Sequence, residues 1–324
     1  MISKIKVKLY NYFKETLGAQ DYNRGWLKSD CPICGKVNKF GINLYQNRTN
    51  CFYCGYNEAP IYLLMELENL LTIPEAYNFL GTISDAAIFY ERGINKPTES
   101  TGSAKLPEGY HNIKRGDGKL ARIMQNYARK RGFNLNEISR KGWGYCDKGK
   151  YLGHLIMPYY MGGELIYFNA RRVVGAGPKF NNPSVDDFGI GKSHLVYNVD
   201  ALYLYDKIFL VESVTNAETL GGNAIGFGGK NLSPFQKNLL IKSPVKRVSI
   251  ALDNDALDKS IELALQLCTH KRVKILNFKD DRDVNDLGKN KSLILDAKSR
   301  YLDYKQIIKM KLDYEGSKYT YNGI

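Results

Sequence analysis

An α/β fold in three parts is expected for this 324-residue chain, and three features of its sequence carry that expectation. Two Cys-x-x-Cys pairs stand near the N-terminus, Cys31/Cys34 and Cys51/Cys54, and pairs so placed hold a structural zinc ion. From residue 207 onward, the apolar runs IFLV (208–211), AIGF (224–227), VSIAL (248–252) and VKIL (273–276) are separated by helical stretches. Strands buried on both faces read this way and belong to parallel sheets. Between these regions, residues 110–200 carry 15 Lys and Arg against 7 Asp and Glu. The class is therefore α/β, with an N-terminal zinc ribbon, a mixed α+β basic subdomain and a parallel-sheet α/β domain.

Residues 1–96 are read as the ribbon and its flanking helices. The opening MISKIKVKLYNYFKETLGAQ alternates charge with apolar side chains and has no signal-peptide core. Sixteen residues separate the two cysteine pairs, and KFGINLYQ and NRTNCFY have the composition of short ribbon strands. Gly35 and Gly55 directly follow the pairs, where the chain turns tightly around a metal. Disulfides would be the competing use of these cysteines, and the missing secretory signal argues against them. Cys146 and Cys268 stand alone and are expected to be ordinary buried residues. IYLLMELENLLTIPEAYNFLG reads as a helix, a break before Pro74 and a second short helix. The Pro-, Gly-, Ser- and Thr-rich stretch 97–109 is the expected linker.

Residues 110–205 form the basic subdomain, with a helix over KLARIMQNYARKRG and a hairpin turning at Gly162-Gly163. Residues 206–290 form the α/β domain, and 291–324 a charged helical tail. The whole chain has 47 Lys and Arg against 33 Asp and Glu, a net charge of +14, which predicts an anionic partner. Nucleic acid is the first candidate, ahead of a membrane surface. The 44% apolar and 12% aromatic content excludes general disorder, and no apolar run approaches the ~20 residues of a membrane span. A soluble, cytoplasmic protein of a bacterium or a phage-infected host is expected.

Residues 206–290 are almost neutral, with 13 basic against 11 acidic residues, and the acids cluster where strands end. Glu212 closes IFLVE, Asp253 and Asp255 close VSIALDND, and KDDRDVND, with Asp283 and Asp286, follows the last strand. Strand C-termini of a parallel sheet converge on its ligand-binding edge. Carboxylates gathered there call for a cation, and Mg²⁺ suits oxygen ligands. Acids after strands also serve as turn and helix-cap residues, and Asp258 and Asp280 are read that way.

A Glu after one strand and an Asp-x-Asp after another resembles the Toprim domain of DnaG-type primases and type IA topoisomerases. The ribbon followed by YLLMELENLLTIPEAYNFL resembles the zinc-binding domain of bacterial and phage primases. YARKRGF through GHLIMPYYMGGELIYFNARRV, PKFNNP and GKSHLVYN resembles the primase core that precedes Toprim. Three blocks in the family's order cover about residues 25–290. The resemblance implies that Glu212, Asp253 and Asp255 hold catalytic Mg²⁺ or Mn²⁺, with Asp283 assisting. It implies that Arg131, Arg171, Lys179 and Lys192 contact template or nucleoside triphosphate. Arg172 neighbours Arg171, and strand alternation sends the two to opposite faces.

Three positions depart from the family pattern: Ser213 stands where Gly is usual, Asn216 where an acid is frequent, and His154 where Arg is more usual. Asn216 offers an amide oxygen but no charge, which bears on metal stoichiometry. Gly191-Lys192-Ser193 imitates the end of a phosphate-binding loop, but position 186 is Asp where that motif requires Gly. A helicase is therefore expected as a separate polypeptide, as in a phage or mobile-element system.

The implied function is a DNA primase that makes short RNA primers on single-stranded DNA from ribonucleoside triphosphates. Arg48, Asn50, Phe52 and Tyr53, near the ribbon tip, would contact unpaired bases. The alternatives are a Toprim nuclease or topoisomerase, and a catalytically weakened relative that only binds DNA or a helicase.

Overall fold

The N-terminal sequence builds its sheet around the cysteines. In this computed structural model, which describes residues 4–81, 105–184, 187, 192–278 and 282–321, helix α1 (Lys4–Leu17) precedes four antiparallel strands. They are β1 (Gln20–Asp21), β2 (Trp26–Ser29), β3 (Phe40–Asn43) and β4 (Arg48–Cys51), in that order across the sheet. Period-2 alternation sends Leu27, Phe40 and Ile42 into a core shared with Phe13, Leu63 and Tyr77. Helix α2 (Pro60–Leu67) begins on a proline and buries Ile61, Leu63, Leu64 and Met65. Helix α3 (Ile73–Phe79) is started by local chemistry: Thr72 Oγ1 accepts from the Glu75 amide, and the Glu75 carboxylate accepts from the Leu71 amide at 2.7 Å. Each fully buried Leu, Ile or Phe of this core contributes about 1.5–3 kcal/mol.

The chain folds as two units, Met1–Lys130 with Asn134–Gly189 and Tyr203–Tyr205, and Arg131–Phe133 with Ile190–Leu202 and Asp206–Ile324. Residues 97–104 of the expected linker and Asp280 lie outside the described residues. The first unit continues with a second antiparallel sheet, ordered β5 (Tyr110–Asn112), β6 (Gly144–Cys146), β7 (His154–Met161) and β8 (Glu164–Arg172). Helices α4 (Gly118–Lys130) and α5 (Leu135–Arg140) lie in sequence between β5 and β6. The turn between β7 and β8 falls on Gly162 and Gly163, whose φ angles of +58° and +86° lie in the left-handed region that favours glycine. Cys146 is fully buried in this sheet's core.

The second unit holds a parallel sheet ordered β10-β9-β11-β12, from β9 (Lys207–Val211), β10 (Ala224–Gly226), β11 (Arg247–Ile250) and β12 (Arg272–Ile275). Between the strands run α6 (Val214–Leu220), α7 (Pro234–Lys242) and α8 (Leu257–Leu267). The chain leaves β9 toward β10 on one side and returns to β11 on the other, so the order reverses between β9 and β11. Such a reversal opens a crevice at the strand C-termini. Beyond β12 come α9 (Val284–Leu287), α10 (Lys289–Lys298) and α11 (Tyr304–Tyr321). Asp296 of α10 is buried against the sheet, where it accepts from Ser249 Oγ at 2.6 Å, pairs with Lys274 at 3.0 Å and also pairs with Lys207. Among the described residues no helix is long and apolar enough to cross a membrane.

Candidate functional site

The four ribbon cysteines converge. Their sulfurs all lie within 4.8 Å of one another, with Cys31–Cys54 at 3.9 Å and Cys34–Cys51 at 3.8 Å. A tetrahedral zinc with bonds of about 2.3 Å sets its sulfurs about 3.8 Å apart, so the residues fit the ion. Local turns create this geometry: the Gly35 amide donates to the Cys31 carbonyl at 2.8 Å and the Gly55 amide to Cys51 at 3.1 Å, with φ of +70° and +77°. The Tyr53 and Cys54 amides also point at the Cys51 sulfur, both at 3.4 Å. One zinc per chain is expected by elemental analysis, and Cys51→Ser should lose it together with hydrogen-exchange protection across β3 and β4. Protection unchanged in the zinc-free variant would show that the ribbon stands without metal.

The carboxylates belong to the second unit. Glu212 directly follows β9 and Asp253 lies three residues beyond β11, so the two leave neighbouring strands at the point where the sheet order reverses. Ser213 caps α6 by accepting from the Asn216 amide at 3.1 Å, so the serine in place of glycine serves the helix start. That cap sets the position of Asn216, which is 1% exposed and donates its side-chain amide to Asp253 Oδ1 at 3.2 Å. The other end of the same amide, Oδ1, is buried without a hydrogen-bond partner. Burial raises the Asp253 carboxyl above its ordinary range, and the negative charges of Asp283 and Asp255 raise it further, against a smaller pull from Lys230. An acid held in this way is one that a divalent cation would relieve.

Two features were not read from the sequence. Lys230 pairs with Asp255 and also feels Glu212 and Asp253, which together raise its ammonium pKa. The carboxylates are less tightly gathered than the thiolates: among the described residues only the cysteines bring three or more ligand atoms within 4.8 Å. Asn285 of α9 donates to the Arg131 carbonyl at 3.1 Å and to Thr219 Oγ1 of α6 at 2.7 Å, tying the third acidic loop to α6. Asp283 begins α9, where its carboxylate accepts from the Asp286 amide at 2.8 Å. It thus has a capping role that the sequence reading reserved for Asp258 and Asp280. Asp258 itself lies in the first turn of α8, behind an Ala256 cap.

Of the basic residues, Arg131 lies in this second unit, half-buried, with its Nε enclosed and lacking a hydrogen-bond partner. Lys192 opens a short 3₁₀ turn, Lys192–His194, in the same unit. Arg171 and Lys179 belong to the first unit. The Arg171 guanidinium lies over the rings of Tyr127 and Phe180, at 5.6 and 5.4 Å, which fixes its plane. Arg172 instead turns back to donate to the Pro178 carbonyl at 3.2 Å. Arg171 is therefore the member of the pair held on aromatic rings, and Arg172 the one that closes the following loop. Lys179 is exposed beside the Phe180 ring. His154 is 1% exposed, with Nδ1 at 3.0 Å from the Leu152 carbonyl, so it is a core residue of β7. On the ribbon, Phe52 and Tyr53 are 79% and 66% exposed, and Arg48 lies over the Trp26 ring.

No family model matches the chain. It is 30% identical to the uncharacterized protein MG010 of Mycoplasma genitalium over 161 residues, 47% of this chain and 71% of that protein. Among solved structures, the DnaG primase catalytic domain bound to single-stranded DNA superposes with a TM-score of 0.53 at 17% identity. That match covers 63% of this chain and 78% of the other. The Escherichia coli primase catalytic core gives 0.51 at 17% identity, covering 62% and 80%. At these values the likeness establishes the fold, which is that of the DnaG catalytic core.

Proposed function

We propose that this chain, which belongs to the family of the Mycoplasma genitalium protein MG010, is a DNA primase: a nucleotidyltransferase that joins ribonucleotides on a single-stranded DNA template. The observation that carries this reading is the placement of Glu212 and Asp253 at neighbouring strand ends, where the order of a DnaG-fold sheet reverses. Glu212, Asp253 and Asp255 would hold Mg²⁺ or Mn²⁺, with Asp283 beside them. The bound metal supplies Lewis acidity toward the attacking 3′-hydroxyl and neutralises the triphosphate. The net reaction forms a bond from that hydroxyl to the α-phosphorus and releases pyrophosphate. Asn216 orients Asp253 through the amide hydrogen bond. Arg131, Arg171, Lys179 and Lys192 bind phosphates of the template or the incoming nucleotide.

In this reading residues 1–96 form the initiation-site reader, with Arg48, Asn50, Phe52 and Tyr53 meeting unpaired bases. Residues 97–109 link it to the phosphate-binding core at 110–205, residues 206–290 carry the chemistry, and 291–324 form the tail. The helicase that opens the template is a separate polypeptide, and the setting is bacterial or phage replication.

Labelled ribonucleotides, single-stranded templates and Mg²⁺ or Mn²⁺ test the proposal. Short RNA products from the wild type and none from Glu212→Gln are expected. Cleavage of DNA without synthesis, or DNA binding with neither reaction, would overturn it in favour of a nuclease or a binding module. Asn216 makes a second prediction, because a neutral amide occupies a position that a carboxylate could fill. Asn216→Asp is expected to raise the number of Mn²⁺ ions bound per chain in equilibrium dialysis, whereas Asn216→Ala should leave the number unchanged and weaken the tighter site.

A further inference from the structure

A polar cavity of about 580 Å³ opens within the first unit, between the loop that leads into α3 and the β5 strand with the α5 helix. Its volume is within the ~300–1,000 Å³ usual for small-ligand sites. One part of the wall is apolar and aromatic, from Leu71, Tyr110 and Tyr160. Tyr110 is locked by donating its hydroxyl to the Gly142 carbonyl at 2.7 Å. The Tyr160 phenol, a proton donor at neutral pH like any tyrosine, is pushed up to about 12 by burial and then by the nearby Glu75 charge.

The remaining wall is cationic. Lys114 and Arg115 reach the cavity from the turn after β5, and Arg140 from the end of α5. Among the described residues neither Lys114 nor Arg115 has an ion-pair partner. The turn that presents them is built in, since Asn112 Oδ1 accepts from the Lys114 amide at 3.1 Å and from Ser139 Oγ at 2.7 Å. Glu75 is the one acid on the wall, and its carboxylate is engaged by the Leu71 amide. Arg140 stacks on Tyr62 at 4.9 Å, with Glu58 4.0 Å from its guanidinium.

A flat apolar wall, a phenol donor and a pair of uncommitted cations on one side match a ligand with an aromatic base at one end and phosphate at the other. We infer that this cavity binds a nucleoside phosphate, with the base against Tyr110, Tyr160 and Leu71 and the phosphates on Lys114 and Arg115. A free nucleoside triphosphate and the 5′-phosphorylated end of a strand share this chemistry. The site includes none of Glu212, Asp253, Asp255 and Asp283, and binding there is inferred to need no divalent ion, so it goes beyond the primase reading.

Isothermal titration of the full chain with ATP, and separately with a 5′-phosphorylated hexathymidylate, tests it with Mg²⁺ and Mn²⁺ left out of the buffer. Binding of at least one probe is expected, and which one binds identifies the source. Lys114→Glu with Arg115→Glu should weaken that binding at least about tenfold. Asn136 is exposed on the rim, and Asn136→Trp should weaken it similarly by blocking the cavity without changing charge. No binding of either probe overturns the inference. So does binding that falls with the charge reversal but survives Asn136→Trp, because that result would describe diffuse surface attraction. If primer synthesis is absent while the cavity still binds, the primase reading fails and this one stands.

Discussion

Asp253→Asn is expected to lower primer synthesis by on the order of 10³-fold or more, about 4 kcal/mol of transition-state stabilisation. The same substitution should leave the metal-free protein slightly more stable than wild type. The two effects have opposite signs because, on the proposed reading, the residue is a metal-holding acid in an unfavourable place. The Asp253 carboxyl is raised first by burial and then by Asp283 and Asp255. A carboxyl whose folded pKa lies above its unfolded value stabilises the fold while protonated. That stability is present below the unfolded value, about 3.9, and is lost as pH rises through the folded value. At neutral pH the metal-free chain therefore bears an ionised Asp253 at a cost, and the isosteric amide removes that cost. The amide can still accept from Asn216, so the local geometry has no reason to change. Thermal unfolding with and without Mn²⁺ reads the sign directly. A variant that is less stable than wild type in the absence of metal would make Asp253 a structural residue and sink the argument. Added Mn²⁺ should stabilise wild type more than the variant, since a ligand that binds the folded state raises its stability by mass action.

How much of this could be read from the chain depended on whether chemistry and spacing coincide. The thiolates were legible because two residues of one type at fixed spacing must point two sulfurs the same way. Glu212 and Asp253 were legible because apolar runs mark strand ends, and a parallel sheet brings its strand ends together. The β7–β8 turn was legible because Gly162-Gly163 supplies two positive φ angles. Lys230 was not, since it reaches Asp255 from 25 residues away through a loop with no periodic signal. Asn285 was hidden for the same reason, as its partners are 66 and 154 residues distant. Alternation separated Arg171 from Arg172 but did not say which was committed; only the loop returning at Pro178 decides that. His154 stood where a basic contact was usual, and its burial followed from its place in β7, a strand covered along nearly its whole length. Asp296 had no motif at all. Its role depends on three strands presenting polar side chains to one helix.

Asp296→Ala is expected to destabilise the second unit by about 3–5 kcal/mol, the range for removing one partner of a buried ionic cluster. The carboxylate is 8% exposed and accepts from Ser249 on β11, while pairing with Lys274 on β12 and Lys207 on β9. Removing it leaves the Lys274 ammonium, 6% exposed, with the Asp296 carbonyl and the face of the Tyr301 ring, 5.1 Å away, but no anion to balance its charge. Attraction alone does not explain the size of the effect, because taking these charges out of water is itself costly. Burial tends to raise the Asp296 carboxyl, but Lys207, Ser249 and Lys274 outweigh it and hold the group below its ordinary range. The sign of the pH effect follows. The cluster's contribution is present above the unfolded carboxyl value of about 3.9 and is lost as pH falls through the lower folded value. Hydrogen exchange over β9, β11 and β12 locates the effect, since protection should fall in those strands and leave β3 and β4 unchanged. A triple replacement, Asp296→Leu with Lys207→Met and Lys274→Met, separates the two explanations. If the loss comes from stranded charge, the triple variant should recover most of the stability, because apolar groups of similar volume replace such clusters at little cost. If it stays as unstable as Asp296→Ala, then the directional bonds that fasten α10 to three strands, and not the relief of buried lysines, are what the carboxylate provides.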